Sequence, residues 1–342
     1  MSLLKYIFRR VLIIIPELFG ALTLTFLLSR MMPGNPAVAL LVSRGIPRPH
    51  PNLIAQMEHE LGLDLPLIIQ YFRYLGELFT GQWGESVVIV RQMPVWNLIW
   101  QFLPYTVDLA IFSIIIASYV GIKIGVISAT HRNKARDTIF RFFALIGVSV
   151  PIFFMGMLLQ YSLGYVLPIF PTAGIKSIEY QNPPRVSGFF IIDSLISGKL
   201  YLVADYLVHI ALPVFCLAFV TLAGIVRQTR SSMLEILEQD YVRTARAKGC
   251  KEKDVIHSHA LKNALIPTVT VIGLNVAGLL TGTVLTETTF GIYGLGRLLV
   301  DSINLTDYWV LSSVVFLMTL IYLFANLFTD IIYAILDPRI RY

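Results

Sequence analysis

Charge is scarce in this chain: Asp, Glu, Lys and Arg make up 14% of 342 residues, whereas 56% are hydrophobic. A soluble domain carries roughly 25% charged residues, so a water-surrounded globule is excluded and an all-α polytopic membrane protein is indicated. Cysteine is scarcer still. Cys216 lies in an apolar run and Cys250 in a basic one, which excludes a disulfide framework and leaves two packing or surface thiols. No G-x-x-x-x-G-K-[ST] loop occurs; Gly198-Lys199-Leu200 and Lys248-Gly249-Cys250 lack the upstream glycine and the hydroxyl residue. ATP binding by that route is excluded. H-E-x-x-H and G-x-S-x-G are missing, and Cys250, His257 and His259 fit no common zinc spacing. Neither enzymatic chemistry, nor a metal, nor a cofactor of its own is expected in this chain.

What is present is a series of apolar runs. Six are long enough to cross a hydrocarbon core of about 30 Å, which takes roughly 20 helical residues: residues 11–28, 103–129, 139–166, 207–226, 265–286 and 309–336. The first is too long for a signal-peptide core and no small-residue cleavage site follows it, so it is expected to be retained as a span. The net charge of +6 comes without an aromatic-interleaved basic patch, which argues against nucleic acid. Basic residues instead flank alternate spans. Lys5, Arg9 and Arg10 precede the first, Arg132, Lys134, Arg136 and Arg141 follow the second, and eight more lie between Arg227 and Lys262, with Arg339 and Arg341 at the end. The positive-inside rule then puts both termini on the cytoplasmic side of a single six-span transmembrane domain, residues 1–342.

Two connections are expected outside. In residues 30–102, Leu53, Met57 and Leu61 repeat at helical spacing up to Gly62, and Leu67, Tyr71, Leu75 and Phe79 do so up to Gly81. Two short amphipathic helices follow, which lie on the outer membrane surface, cover the mouth of a pathway, or simply pack on the spans. Residues 168–206, rich in Pro, Gly and Ser, read as irregular surface with one short helix near 189–195.

Ionisable groups inside spans are functional candidates by default. Asp108 sits near the start of its helix, where the dipole favours an anion, and Lys123 can snorkel. Glu17 and Asp330 lie deep in the first and last spans; Glu17 either pairs with a neighbouring span or faces a wet cavity. Glu287, just past the end of the fifth span, opposes that helix's dipole, so either Arg297 neutralises it or cargo meets it. Asn275, Thr283, Glu287 and Glu17 are the candidate pathway or outer-gate residues. Gly273, Gly278 and Gly282 permit close packing or line the path.

Residues 227–264 form a basic polar island between the fourth and fifth spans. Asp240 reads as an N-cap, Arg246 and Lys248 sit in the last turn, and Gly249 takes the position after it. A helix of barely two turns results, with Tyr241, Thr244 and Ala245 forming a shallow face. Isolated helices this short are marginal in water, so a partner is expected to hold it.

This island resembles the cytoplasmic "EAA" loop of the membrane subunits of ABC importers, in the variant found in dipeptide and oligopeptide permeases. Arg243-Thr244-Ala245-Arg246-Ala247-Lys248-Gly249 stands in the place of E-A-A-x-x-x-G, and His259-Ala260-Leu261-Lys262-Asn263-Ala264 with Pro267 matches H-A-L-R-N-A-x-x-P. Arg243 and Thr244 replace the motif's Glu and first Ala. The likeness continues through Met32-Pro33-Gly34-Asn35-Pro36, Leu61-Gly62-Leu63-Asp64, Thr286-Glu287-Thr288, Gly294-Leu295-Gly296-Arg297 and Asp307-Tyr308. Ile292-Tyr293 replaces the usual Trp-Pro pair there, and Trp309 replaces a Pro.

The resemblance implies a type I ABC importer permease fold in a prokaryotic cytoplasmic (inner) membrane. It implies a second, homologous permease, two ATPase subunits that carry ATP and Mg, and an extracellular substrate-binding protein. The coupling residues it implies are Asp240, Tyr241, Arg243, Thr244, Ala245, Ala247, Lys248 and Gly249, with His259 and Asn263 bracing the return limb before Pro267 redirects the chain. Di- or oligopeptides are the implied cargo, with nickel chelates or haem as family alternatives. A self-sufficient ion-gradient carrier is the competing class, but the spans show no matching repeat.

Overall fold

The computed structural model describes residues 3–336. Helix α1 (Leu3–Met31) is followed by three shorter helices, α2 (Pro36–Ser43), α3 (Pro51–Leu61) and α4 (Leu67–Thr80). A small antiparallel pair, β1 (Glu85–Ser86) and β2 (Met93–Pro94), leads into α5 (Val95–Thr130). Helices α6 (Ala135–Ser149) and α7 (Ile152–Leu159) come next, and α7 passes into a π turn at Gln160–Val166. Then come α8 (Phe190–Ile196), α9 (Leu200–Leu237), α10 (Asp240–Ala247) and α11 (Glu252–Asp254). A second π turn, Val255–Ala260, opens α12 (Leu261–Gly282), and α13 (Val284–Thr289), α14 (Leu295–Asn304) and α15 (Tyr308–Leu336) complete the described residues.

Five of these helical runs are long and apolar enough to cross a membrane, and α6 with α7 makes a sixth only as a bent pair. The expected third span, residues 139–166, is this pair, bent by 104° between its halves. Pro151 is the cause. Its ring disfavours helical dihedrals in the preceding residue, and Val150 is accordingly extended at φ −87°, ψ 123°. The hydropathy of the run is continuous across the bend and does not register it.

Helices α5 and α9 start earlier than their apolar runs, at Val95 and Leu200 instead of 103 and 207, and α9 also continues to Leu237. Their extra turns pack on the protein. Leu98 and Ile99, for example, are fully buried in the cluster that joins α1, α4, α14 and α15. Where α5 crosses α9, side chains are absent on one side. A Cβ at Gly121 would fall 2.8 Å from Ile225, and one at Gly125 2.6 Å from Thr229, so the two backbones approach closely.

The fifth span ends sooner than its apolar run: α12 stops at Gly282, and Thr286 and Glu287 belong to α13. Pro267, expected to redirect the chain, lies inside α12, where one missing N–H costs a single helical bond. The irregularity falls earlier, in the π turn at Val255–Ala260. The paired helices of the 30–102 segment end where expected, with Gly62 and Gly81 in the left-handed conformation at φ 67° and 77°. The short helix expected near 189–195 is α8. Arg339 and Arg341 lie outside the described residues.

Candidate functional site at the basic end of the bundle

Helix α10 hangs from the end of α9 by two residues, Glu238 and Gln239. Gln239, not Asp240, is the N-cap, and its side chain makes no capping bond; Asp240 is the first helical residue, where its charge still favours the dipole. The other end closes as the residues suggest. Gly249 adopts φ +79°, its N–H donates to Arg246 O at 2.9 Å, and Cys250 N donates to Ala245 O at 3.2 Å, which is the double bond of a Schellman stop.

The face of α10 is not the one expected. Ala245 is buried with Val242 and Val255, beside Ile236 and Leu237, so it holds the helix to its own chain and is removed from the exposed face. Asp240, Tyr241, Arg243, Thr244, Ala247, Lys248 and Gly249 are exposed. Arg246 bridges to Glu252 at 2.8 Å. Asn263 donates to the Tyr241 hydroxyl at 2.9 Å and to His259 O at 3.4 Å, tying α10 to the start of α12. His259 thus contributes its carbonyl to that brace, while its ring is exposed.

Sequence reasoning missed the anchorage behind α10. Arg230, on the last part of α9, makes a two-pronged contact with Asp137 at the start of α6, Nε to Oδ1 at 2.7 Å and Nη2 to Oδ2 at 2.9 Å. Ser128 Oγ and Asn133 N also donate to that carboxylate, at 2.5 and 3.0 Å. The partners lie 93 residues apart, so no local pattern announces them. A lone acidic residue in the first turn of α6 was the available signal.

At the opposite end, Glu287 is fully buried. Its Oε1 accepts from Thr106 at 2.7 Å and Thr283 at 2.6 Å, and its Oε2 accepts from Arg297 N at 2.9 Å. The last bond explains the anion: Gly294 caps α14, and the carboxylate accepts from an N–H in that helix's first turn. Neutralisation by the Arg297 side chain is not found. That guanidinium lies 3.9 Å over the Tyr293 ring and 3.7 Å from Asp301. Asp307, also fully buried, accepts through Oδ2 from Ser86 Oγ, Val87 N and Val88 N at 2.7, 3.0 and 3.1 Å, clamping the turn after β1.

The remaining candidates are dispersed. Glu17 borders an open cavity of about 600 Å³ with Thr281, Thr319 and Tyr322. Asn275 is half-buried on α12 and Thr283 is buried beneath Glu287. Asp330 pairs with Arg10 at 3.1 Å. Asp108 lies well inside α5 and accepts from Tyr206 at 2.8 Å, so a hydroxyl, not a helix start, holds it. Lys123 lies 4.0 Å over the Tyr119 ring.

Long apolar helices with one capped polar helix at one end define a multi-pass membrane protein. The chain belongs to the family described as binding-protein-dependent transport system inner membrane component, matched over residues 121–342, with the N-terminal part of such membrane components matched over residues 3–110. It is similar to the dipeptide transport system permease protein DppB of Alkalihalophilus pseudofirmus, 40% identical over 99% of this chain and 100% of that one. It is equally similar to DppB of Escherichia coli K12, 40% identical over 99% of both chains. The oligopeptide transport system permease protein AppB of Bacillus subtilis is 36% identical over 98% of this chain and 99% of its own.

Proposed function

We propose that this chain is the membrane-spanning permease subunit of an ATP-driven importer of di- and oligopeptides. It forms the pathway with a homologous permease and meets two ATPase subunits through α10. The exposed, Schellman-stopped α10, braced by Asn263 against Tyr241 and fixed to α9 by two residues, carries the proposal. An element this short and this firmly held suits the transfer of displacement, and its exposed Arg243, Thr244 and Lys248 offer a polar docking face. The names of the full-length relatives support peptide cargo, delivered by an extracellular binding protein. The flanking basic residues support cytoplasmic placement of α10 and both termini, and ATP and Mg belong to the ATPases.

Two roles follow at the opposite end. Glu287 and Thr283 hold the outer gate together as buried partners, whereas Glu17 and Asn275 are the pathway-facing groups.

Purification of the tagged chain at moderate salt tests this. Stoichiometric ATPase subunits, lost on Thr244→Trp or Arg243→Glu, and uptake of labelled dialanine that requires ATP are expected. Uptake that persists without any ATPase would identify an ion-driven carrier instead.

A further inference from the structure

Motion at α10 must reach the membrane to be useful, and two contacts link the α9–α10 corner to the turn between α5 and α6. One is Arg132 with Glu238 at 3.0 Å, but both side chains are more than half exposed, and such pairs contribute little. The other is Arg230 with Asp137, whose carboxylate is 1% exposed. Four donors from three elements converge on it: Ser128 from the end of α5, Asn133 from the turn, and the two nitrogens of Arg230 from α9. A carboxylate so surrounded has one geometry, and a planar two-pronged partner fixes direction as well as distance.

The pair sits where a linkage is needed. Helix α9 is 38 residues, about 57 Å long, so its last turns project beyond the hydrocarbon and carry α10. Helix α6 touches α9 again at its far end, where a Cβ on Gly147 would lie 3.1 Å from Ala223 and 3.2 Å from Phe219 O. Beyond Gly147 comes the 104° bend. Helix α6 is thus held to α9 at both ends, and α7, on the other side of Pro151, packs back onto α9 directly.

We propose that Arg230 and Asp137 are positioning residues for transport: their contact is the joint that makes the α5–α6 turn and the start of α6 follow α9 when α10 is displaced. The inference rests on the permease reading above. Without the joint, ATP hydrolysis proceeds and the start of α6 lags, so fuel is consumed with little cargo moved.

The test uses the complete complex, purified through this chain and reconstituted with its binding protein in ATP-loaded liposomes, measuring labelled dialanine moved per ATP hydrolysed. Removing one partner strands a buried charge, so the main variant neutralises both, Asp137→Asn with Arg230→Gln. Arg230→Lys, which keeps charge but not the two-pronged contact, is the milder companion. Hydrolysis within about twofold of wild type and a transport ratio reduced about tenfold or more in the double variant are expected. An intermediate ratio is expected in Arg230→Lys. An unchanged ratio in the double variant overturns the joint; should that variant fail to assemble, an unchanged ratio in Arg230→Lys does so equally. Failure of the wild-type complex to couple dialanine uptake to ATP would instead overturn the permease reading itself.

Discussion

The Thr106 hydroxyl and the Glu287 carboxylate meet at 2.7 Å across 181 residues of sequence, joining α5 to α13 in an interior closed to solvent. Thr106 Oγ1 accepts in turn from Leu295 N at 2.8 Å. One hydroxyl and one carboxylate therefore dress the N-terminus of α14 from two directions.

Glu287→Gln keeps the shape but loses the charge, and Glu287→Ala leaves buried donors unmet. The expected losses in stability are about 1.5 kcal/mol and about 3 kcal/mol respectively. Thermal unfolding of the purified protein in detergent checks the order.

Asp307 is a second case of one carboxylate holding distant backbone. Asp307→Ala frees the turn after β1 and is expected to destabilise by about 3 kcal/mol, with faster amide exchange at Val87 and Val88. Asp307→Asn, which keeps an acceptor, is expected to cost about half of that.

Position by position, α10 separates packing from docking. Ala245→Leu overfills a buried site and is expected to cost about 1–3 kcal/mol of stability. Thr244→Trp, on the exposed face, is expected to leave stability within about 0.5 kcal/mol while abolishing ATPase co-purification. Tyr241→Phe removes the bond from Asn263, a loss of about 1 kcal/mol.

Asp193, on α8, supplies a pH dependence. Burial pushes its pKa up, but hydrogen bonds from Ser187 and Gly188 outweigh this and hold it below the ordinary value. Its contribution is thus complete above the unfolded carboxylate's pKa of about 3.9 and is lost as pH falls through the lower folded value. Amide protection of residues 187–197, corrected for intrinsic exchange, is expected to fall below about pH 4 and to lose this step in Asp193→Asn.

Much of the fold was legible because its signals are local. Gly62, Gly81 and Gly249 stop helices by supplying a left-handed residue, and each does so where periodicity ends. Apolar runs likewise located the spans. Hydropathy records contact with lipid, however, and not helical conformation, so it missed the polar turns that carry α9 on to Leu237 and the bend at Pro151. The face of α10 was misjudged for a related reason: a small residue such as Ala245 fits a docking surface or a tight interior equally, and only Val242 and Val255 decide between them. Glu287 appeared anomalous at the end of one helix because the helix it serves starts eight residues later, past a turn. The partnership of Asp137 with Arg230 joins segments that no short window contains.

The glycines of α5 at positions 121 and 125 carry a wider implication. With Ile225 and Thr229 seated where side chains would otherwise stand, the two longest helices cannot slip lengthwise past one another without collision. They behave as a single girder, and any relative movement of the helices must be accommodated at seams elsewhere, between this beam and whatever flanks it.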